Sequence, residues 1–246
     1  MQIIPLSEGV FTKKKTKIFV PFNTETDELQ HRPLGSLLVE VLPFLLITSK
    51  DVLLLDTGLG FSKNGELQLY ANLKANTVQP EQVTKVLLSH LHKDHAGGVS
   101  TKDRLGNYQL AFPNATYYVQ QKEFDYAMDI GYPSYMTEEI SLLQNNPRVV
   151  FLNGNGVIDD YIYYQFSGAH SPFHQVYWIK ENGETIFFGG DDAPQLQQMK
   201  NKFVAKYDYD GKKAMQLRQM WWQQGQDEHW VFLFYHDVKT PVFRAG

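Results

Sequence analysis

The sequence predicts an α/β fold built as one domain over residues 1–246. Three observations predict it. Strand-like and helix-like runs mix in both halves of the chain, no linker-like stretch divides them, and several strands carry apolar residues on both faces. Strands of that kind must be buried from two sides, by one another as well as by helices.

The elements follow in order. Residues 44–48 and Val52–Leu55 flank Ser49-Lys50-Asp51 and read as a hairpin. A helix is expected over 65–75, and a short one over 80–84 with Pro80 near its start. Residues 86–88 form a short apolar strand, and Thr116–Gln120 and Val149–Leu152 are further strands. Helices are expected over 122–128 and 137–145, the second capped by Thr137 with Glu138 and Glu139 in its first turn. A late β region covers 161–166, 175–180 and 185–188, with Asn182-Gly183 as a hairpin turn. The strongest helical pattern is 210–224, with Ala214, Leu217, Met220 and Trp221 on one face. A strand over 230–235 closes the series.

Composition narrows the function. Apolar residues make up 43% and charged residues 20%, as in ordinary globular proteins. The net charge is −4 and no basic run exceeds Lys13-Lys14-Lys15, which weighs against a dedicated nucleic-acid binder but leaves room for a local basic groove. There is no cysteine, so disulfides, thiolate ligands and cysteine nucleophiles are excluded, and any metal must be held by histidine and carboxylate. The longest apolar run, VEVLPFLLI, contains Pro43 and is too short for a bilayer. The N-terminus lacks the pattern of a signal peptide. A cytoplasmic protein with no membrane partner is expected.

The chemistry concentrates in LLSHLHKDHAGG, residues 87–98. It places three of the chain's eight histidines and an aspartate within six residues. The chain reaches His90 extended, so His90 and His92 point the same way and can share one focus. Lys93 onward looks like a turn or helix start, with Gly97-Gly98 free to bend, which turns Asp94 and His95 toward a second focus. Two close foci served by imidazole and carboxylate are the makings of a two-metal site; the plainer alternative is a solvated histidine-rich turn. Each focus needs further ligands. His170, the pair Asp191-Asp192, and His236 each follow a predicted strand and can gather along one sheet edge.

The segments HLHKDHAGG, GAHSPFH, FFGGDD and FYHD, with LLLDTGLG upstream, together resemble the metallo-β-lactamase superfamily, in the same order along the chain. The resemblance implies a four-layer αβ/βα sandwich. It implies that His90, His92 and His170 hold one divalent metal ion, that Asp94, His95 and His236 hold a second, and that Asp191 bridges them. Asp191 is preferred to Asp192 because it directly follows a strand and glycine. Asp191 and Asp94 are the catalytic candidates. Asp56 resembles the family's aspartate that supports the ligand loop; an ordinary turn residue before Gly58 is the equal alternative. His174 resembles a non-ligand histidine that can orient the site through a hydrogen bond. His31 and His229 match nothing. In GAHSPFH, Ala169 is inserted before the histidine and Phe173 replaces a glycine.

The function so implied is metal-dependent hydrolysis, a metal-bridging hydroxide attacking a small ester, lactone or related electrophile. Zinc is the expected metal, with manganese, iron and cobalt compatible with the same ligands. The partner is a small molecule, and a homodimer is left open. A diiron redox protein of the same fold is the rival; it resembles this chain less, since those members carry glutamate at the His92 position and a flavodoxin-like domain. A non-catalytic binding module would have lost ligands. Phosphotriester or phosphodiester hydrolysis stays as an alternative. The style is that of N-acyl homoserine lactonases and methyl parathion hydrolase-like members, since little chain follows His236. The lactonases place a tyrosine where this chain has Pro194. Phe61, Tyr132, Tyr135 and Phe173 lie in loops near the motifs and either line an aromatic pocket or pack those loops onto the core, the second reading being at least equal to the first.

Overall fold

The computed structural model describes residues 1–14, 16–63 and 65–246. Lys15, the end of the basic run, lies outside them. Two six-stranded mixed sheets dominate. The first has the order Gln2–Pro5, Phe44–Ile47, Val52–Leu55, Lys85–Leu87, Thr116–Gln120, Val149–Leu152. Its first two pairings are antiparallel and its last three parallel. The second has the order Gly156–Ile158, Ile162–Phe166, Gln175–Glu181, Glu184–Phe188, Val231–Leu233, Val242–Arg244. Here only Glu184–Phe188 against Val231–Leu233 is parallel. A three-stranded sheet of Gly9–Lys13, Phe19–Pro21 and Leu37–Val41 flanks them.

Alternation along the strands builds the layers. In Val52–Leu55, Leu53 and Leu55 face the second sheet, where Leu46, Leu87, Ile179, Ile186, Phe188 and Leu233 join them. Leu54, with Leu45 and Val86, faces the other way, onto Leu69 and Leu73 of helix Gln68–Ala75 and Phe124 and Ala127 of helix Gln121–Ile130. On the far side of the second sheet, Val176, Phe187 and Phe232 pack against Trp221 of helix Gly211–Asp227 and Met199 of helix Leu196–Lys200. The result is helix, sheet, sheet, helix.

The expected hairpins form, and Asn182 and Gly183 both take positive φ at the second, as a tight two-residue turn requires. Several boundaries move. Residues 80–84 contain only one 3₁₀ turn, Pro80–Gln82, and the α-helix from Thr137 passes into a 3₁₀ turn after Ile140. Thr137 is inside that helix rather than its cap; Met136 precedes it. The last long helix turns the expected face inward at Ala214, Leu217 and Trp221, but Met220 is 49% exposed and Arg218, at 1%, is buried in its place. A polar side chain took an interior position because buried acceptors await it there, which apolar periodicity cannot register.

Strand direction positions the site. Val52–Leu55 and Lys85–Leu87 run parallel and end at Asp56 and just before His90. Ile162–Phe166, Glu184–Phe188 and Val231–Leu233 share a direction and lead to His170, Asp191 and His236. Their carboxyl ends meet at one edge of the sandwich.

Candidate metal centre

At that edge the seven candidate side chains form two groups: His90, His92, His170 and Asp191, and Asp94, His95 and His236. The ligand-type atoms of each group lie within 4.8 Å of one another. In the first, His92 Nδ1 lies 2.9 Å from His90 Nε2 and 3.2 Å from His170 Nε2. Asp191 Oδ2 lies 3.0 Å from His170 Nε2. Its other oxygen, Oδ1, lies 3.2 Å from His95 Nε2 and 3.0 Å from His236 Nε2 in the second group. Asp94 Oδ2 stands 3.6 Å from His236 Nε2. One carboxylate thus offers an oxygen to each group.

The rings are held from behind. His90 Nδ1 donates to Ser89 Oγ (3.1 Å), His95 Nδ1 to Asp56 Oδ2 (2.7 Å), His170 Nδ1 to Asp208 Oδ1 (2.8 Å) and His236 Nδ1 to the Glu40 carbonyl (2.5 Å). A neutral imidazole that donates at Nδ1 presents a lone pair at Nε2, the atom facing the focus in all four.

Donor chemistry and satisfaction both fit divalent cations. Five imidazoles and two carboxylates are ordinary ligands for zinc and its neighbours. His95 Nε2 and Asp191 Oδ1 are buried without a hydrogen-bond partner, a costly state that a cation relieves. Burial, then the crowding of neighbouring imidazoles, holds the His90 pKa far below the usual histidine range, so its ring is a neutral donor. Burial also lowers His92. At His95 burial acts downward too, but Asp191 and Asp56 overcome it and push the pKa up to about 10. Carboxylates that favour a proton on His95 Nε2 favour a metal cation there equally. Against its own burial, Asp94 is held below the usual carboxylate range by Lys13, His95 and His236.

Asp56 does more than turn the chain. It is fully buried, and its carboxylate accepts from Ser89 N, Ser89 Oγ and His95 Nδ1, each at 2.7 Å. Asp192 turns away from the foci: its Oδ1 accepts the His170 N–H at 2.6 Å and its Oδ2 lies 3.0 Å from His174 Nδ1. His174 Nε2 accepts from Asp191 N at 3.2 Å, which aims the bridging carboxylate. His31 is exposed and salt-bridged to Glu28; neither it nor His229 approaches the site.

Sequence reasoning passed over several supporting groups. Asp208 braces His170. Arg218 donates to the Asp192 carbonyl (2.8 Å) and the Phe203 carbonyl (2.6 Å). Glu123, fully buried, accepts from Leu91 N and Ser171 Oγ. Tyr235 stacks on His95 at 4.0 Å and donates to the Asp94 carbonyl. Asp208, Arg218 and Glu123 stand in no motif; Tyr235 lies inside the FYHD segment, beside His236, which is the signal that could have pointed to it.

A cavity of about 540 Å³ opens over the metal groups. Its aromatic lining is Phe19, Phe203 and Tyr207 rather than the four loop aromatics near the motifs. Phe61 packs on Phe11, Phe173 on Tyr126, and Tyr135 lies buried beneath His92. Tyr132 is exposed outside the cavity, and the aromatic wall comes instead from Phe19 of the flanking three-stranded sheet and from Phe203 and Tyr207 in the stretch after Leu196–Lys200.

The sequence model of the Metallo-beta-lactamase superfamily matches residues 39–203. The N-acyl homoserine lactonase AttM of Azorhizobium caulinodans is 32% identical over 121 residues, 45% of this chain and 41% of that protein. Its counterpart from Agrobacterium fabrum is 28% identical over 142 residues, 53% of this chain and 49% of that protein. The matched part spans less than half the length of these curated relatives. A probable metal-dependent hydrolase from Staphylococcus aureus superposes with a TM-score of 0.79 at 22% identity, over 99% of this chain and 91% of that one. AidC, described as a dizinc quorum-quenching lactonase in complex with a product, superposes with a TM-score of 0.72 at 21% identity, over 98% and 88%. At these identities the likeness is one of fold.

Proposed function

The chain belongs to the metallo-β-lactamase superfamily, whose model covers more than half of it, and from that premise we propose that it is a dinuclear metal-dependent hydrolase. Its substrate is a small ester, lactone or related electrophile. The reading takes residues 1–246 as one catalytic domain and zinc as the metal. The lactonase names among the relatives support the substrate class, and AidC, described as dizinc, supports the metal. The observation that carries the proposal is Asp191, with one oxygen turned to each of two ligand groups.

In this reading His90, His92 and His170 would hold one cation and Asp94, His95 and His236 the other, with Asp191 offering an oxygen toward each group. The pair supplies Lewis acidity and makes water a nucleophile at neutral pH. The protein's own part is orientation and proton management. The far-side acceptors keep each Nε2 lone pair aimed inward, so no reorganisation is needed during reaction. Asp191 and Asp94, both held ionised, are the groups that can accept a hydrogen bond from a water at the centre and orient it. The lactonase tyrosine has no counterpart at Pro194, which lines the cavity. Tyr207 lines the same cavity; burial raises its pKa to about 12, so it keeps its proton and can donate to a substrate oxygen.

The test is elemental analysis of protein purified without added metal, beside Asp191→Ala. The expected result is two metal ions per chain, one for each group, with a clear fall in the variant. A loaded protein then goes to a screen of lactones, aryl esters and phosphotriesters. A chain that takes up neither zinc, manganese nor iron would end the hydrolase reading.

A further inference from the structure

The cavity above the metal groups carries a charge pattern at odds with the acidic chain around it. Among the described residues five lysines line it: Lys13, Lys14, Lys17, Lys93 and Lys206. They come from three separate segments: the end of strand Gly9–Lys13 and the connection after it, the helix Lys93–Ala96, and the stretch after Leu196–Lys200. The carboxylates in the lining are Asp94 and Asp191, both already assigned to the metal groups. Lys13 Nζ pairs with Asp94 Oδ2 at 3.1 Å. Lys14, Lys17, Lys93 and Lys206 form no ion pair among the described residues; Lys17 Nζ donates to Ser134 Oγ. The Lys17 pKa is depressed, first by burial and then by Lys13. The rest of the wall mixes apolar Phe19, Leu37, Leu38, Val39, Pro194 and Phe203 with the polar Ser134, Gln195, Gln198 and Tyr207.

Gathering like charges around a concave surface costs energy unless an opposite charge arrives. Two bound dications would outweigh the charge of the two carboxylates and leave no anion in the lining to balance the ammonium groups. The enclosure holds a small molecule, not a polyanion laid along a surface stripe. We propose that the substrate carries an anionic group, held by Lys14, Lys17 and Lys206, on an apolar body that lies against the aliphatic wall. This rests on the hydrolase reading above and names its substrate class. It sets this site apart from one made for a neutral lactone. Lysine, a point charge on a flexible stem, suits carboxylate and phosphate alike.

The test compares two aryl esters of equal length on the zinc-loaded protein: 4-nitrophenyl hexanoate and the mono-4-nitrophenyl ester of adipic acid. The carboxylate ester should have a KM about tenfold lower, the equivalent of ~1.4 kcal/mol. That ratio should collapse toward unity in Lys17→Gln/Lys206→Gln and in about 0.5 M salt, where the screening length is only a few ångströms. Lys206→Gln alone, a change at an exposed loop position, should show a partial collapse if the double variant folds poorly. Equal KM values in the wild type, or a ratio that survives both variants, would overturn the proposal. If neither ester is hydrolysed, calorimetric titration of adipate into the same metal-loaded proteins decides. Binding weakened about tenfold by the double variant upholds the anion site while the hydrolase reading fails. Equal binding, or none, overturns it.

Discussion

Each histidine at the centre owes its role to the residue behind it. Asp56 shows this most sharply, since its carboxylate receives three donors and fixes the His95 tautomer. In Asp56→Asn an amide NH₂ turned toward Nδ1 would favour the other tautomer and present an N–H to the focus. We expect metal affinity at the second group to fall about 10–100-fold with the fold intact, read by chelator competition alongside circular dichroism. Unchanged affinity would mean the aspartate only shapes the turn. Glu8 is a second buried carboxyl, away from the metal groups, accepting from Leu59 N at 2.5 Å. Burial raises its pKa to about 7. The folded state therefore holds a proton that the unfolded chain releases near 4.5. Its contribution is full below pH 4.5 and is lost as pH rises through 7, on the order of 3 kcal/mol. The wild-type stability curve minus that of Glu8→Gln should show this loss across the window; parallel curves would contradict it.

At the scale of elements, the site depends on two loops pressed backbone to backbone. Thr57 N donates to the His95 carbonyl at 2.7 Å, and Gly97 N to the Gly58 carbonyl at 2.8 Å. A Cβ on Gly97 would fall within contact radius of the Leu59 carbonyl, and neither backbone can yield cheaply. Gly97→Ala should cost more than about 2 kcal/mol and loosen His95, seen as a lower denaturation midpoint together with reduced metal content. An unaltered midpoint would show that the loops tolerate separation. The pattern HLHKDHAGG was legible because chemistry and chain freedom are both written locally. The long helix was legible as a helix, yet its inward face was misjudged at Met220 and Arg218. Periodicity reads apolar residues, whereas Arg218 is interior because the Asp192 and Phe203 carbonyls accept from it.

Across the molecule, the centre ties together segments from both sheets, from His90 to His236. Metal binding should therefore stabilise the fold globally, not only the loops. With free metal about 100-fold above Kd the gain is about 2.7 kcal/mol, which for a chain of this size raises Tm by roughly 5–10 °C. Thermal melts with and without a chelator measure it. Coincident melts would mean the ligands do not act as one site.

By itself the sequence determined the alternation of strands and helices, the absence of thiol chemistry and the local histidine and aspartate motifs, which the family resemblance joined into a ligand set with Asp191 preferred to Asp192. These are local properties: apolar period, residue type, spacing along an extended strand or first turn. Only the tertiary structure decided which of Asp191 and Asp192 faces the foci, that Asp208 and Tyr235 brace the rings, and that the cavity wall comes from Phe19, Leu37 and five lysines instead of the four loop aromatics. Those outcomes depend on which distant segments come within a few ångströms of one another. Contacts of that kind are set by how two twisted sheets pack, and no spacing along the chain encodes them.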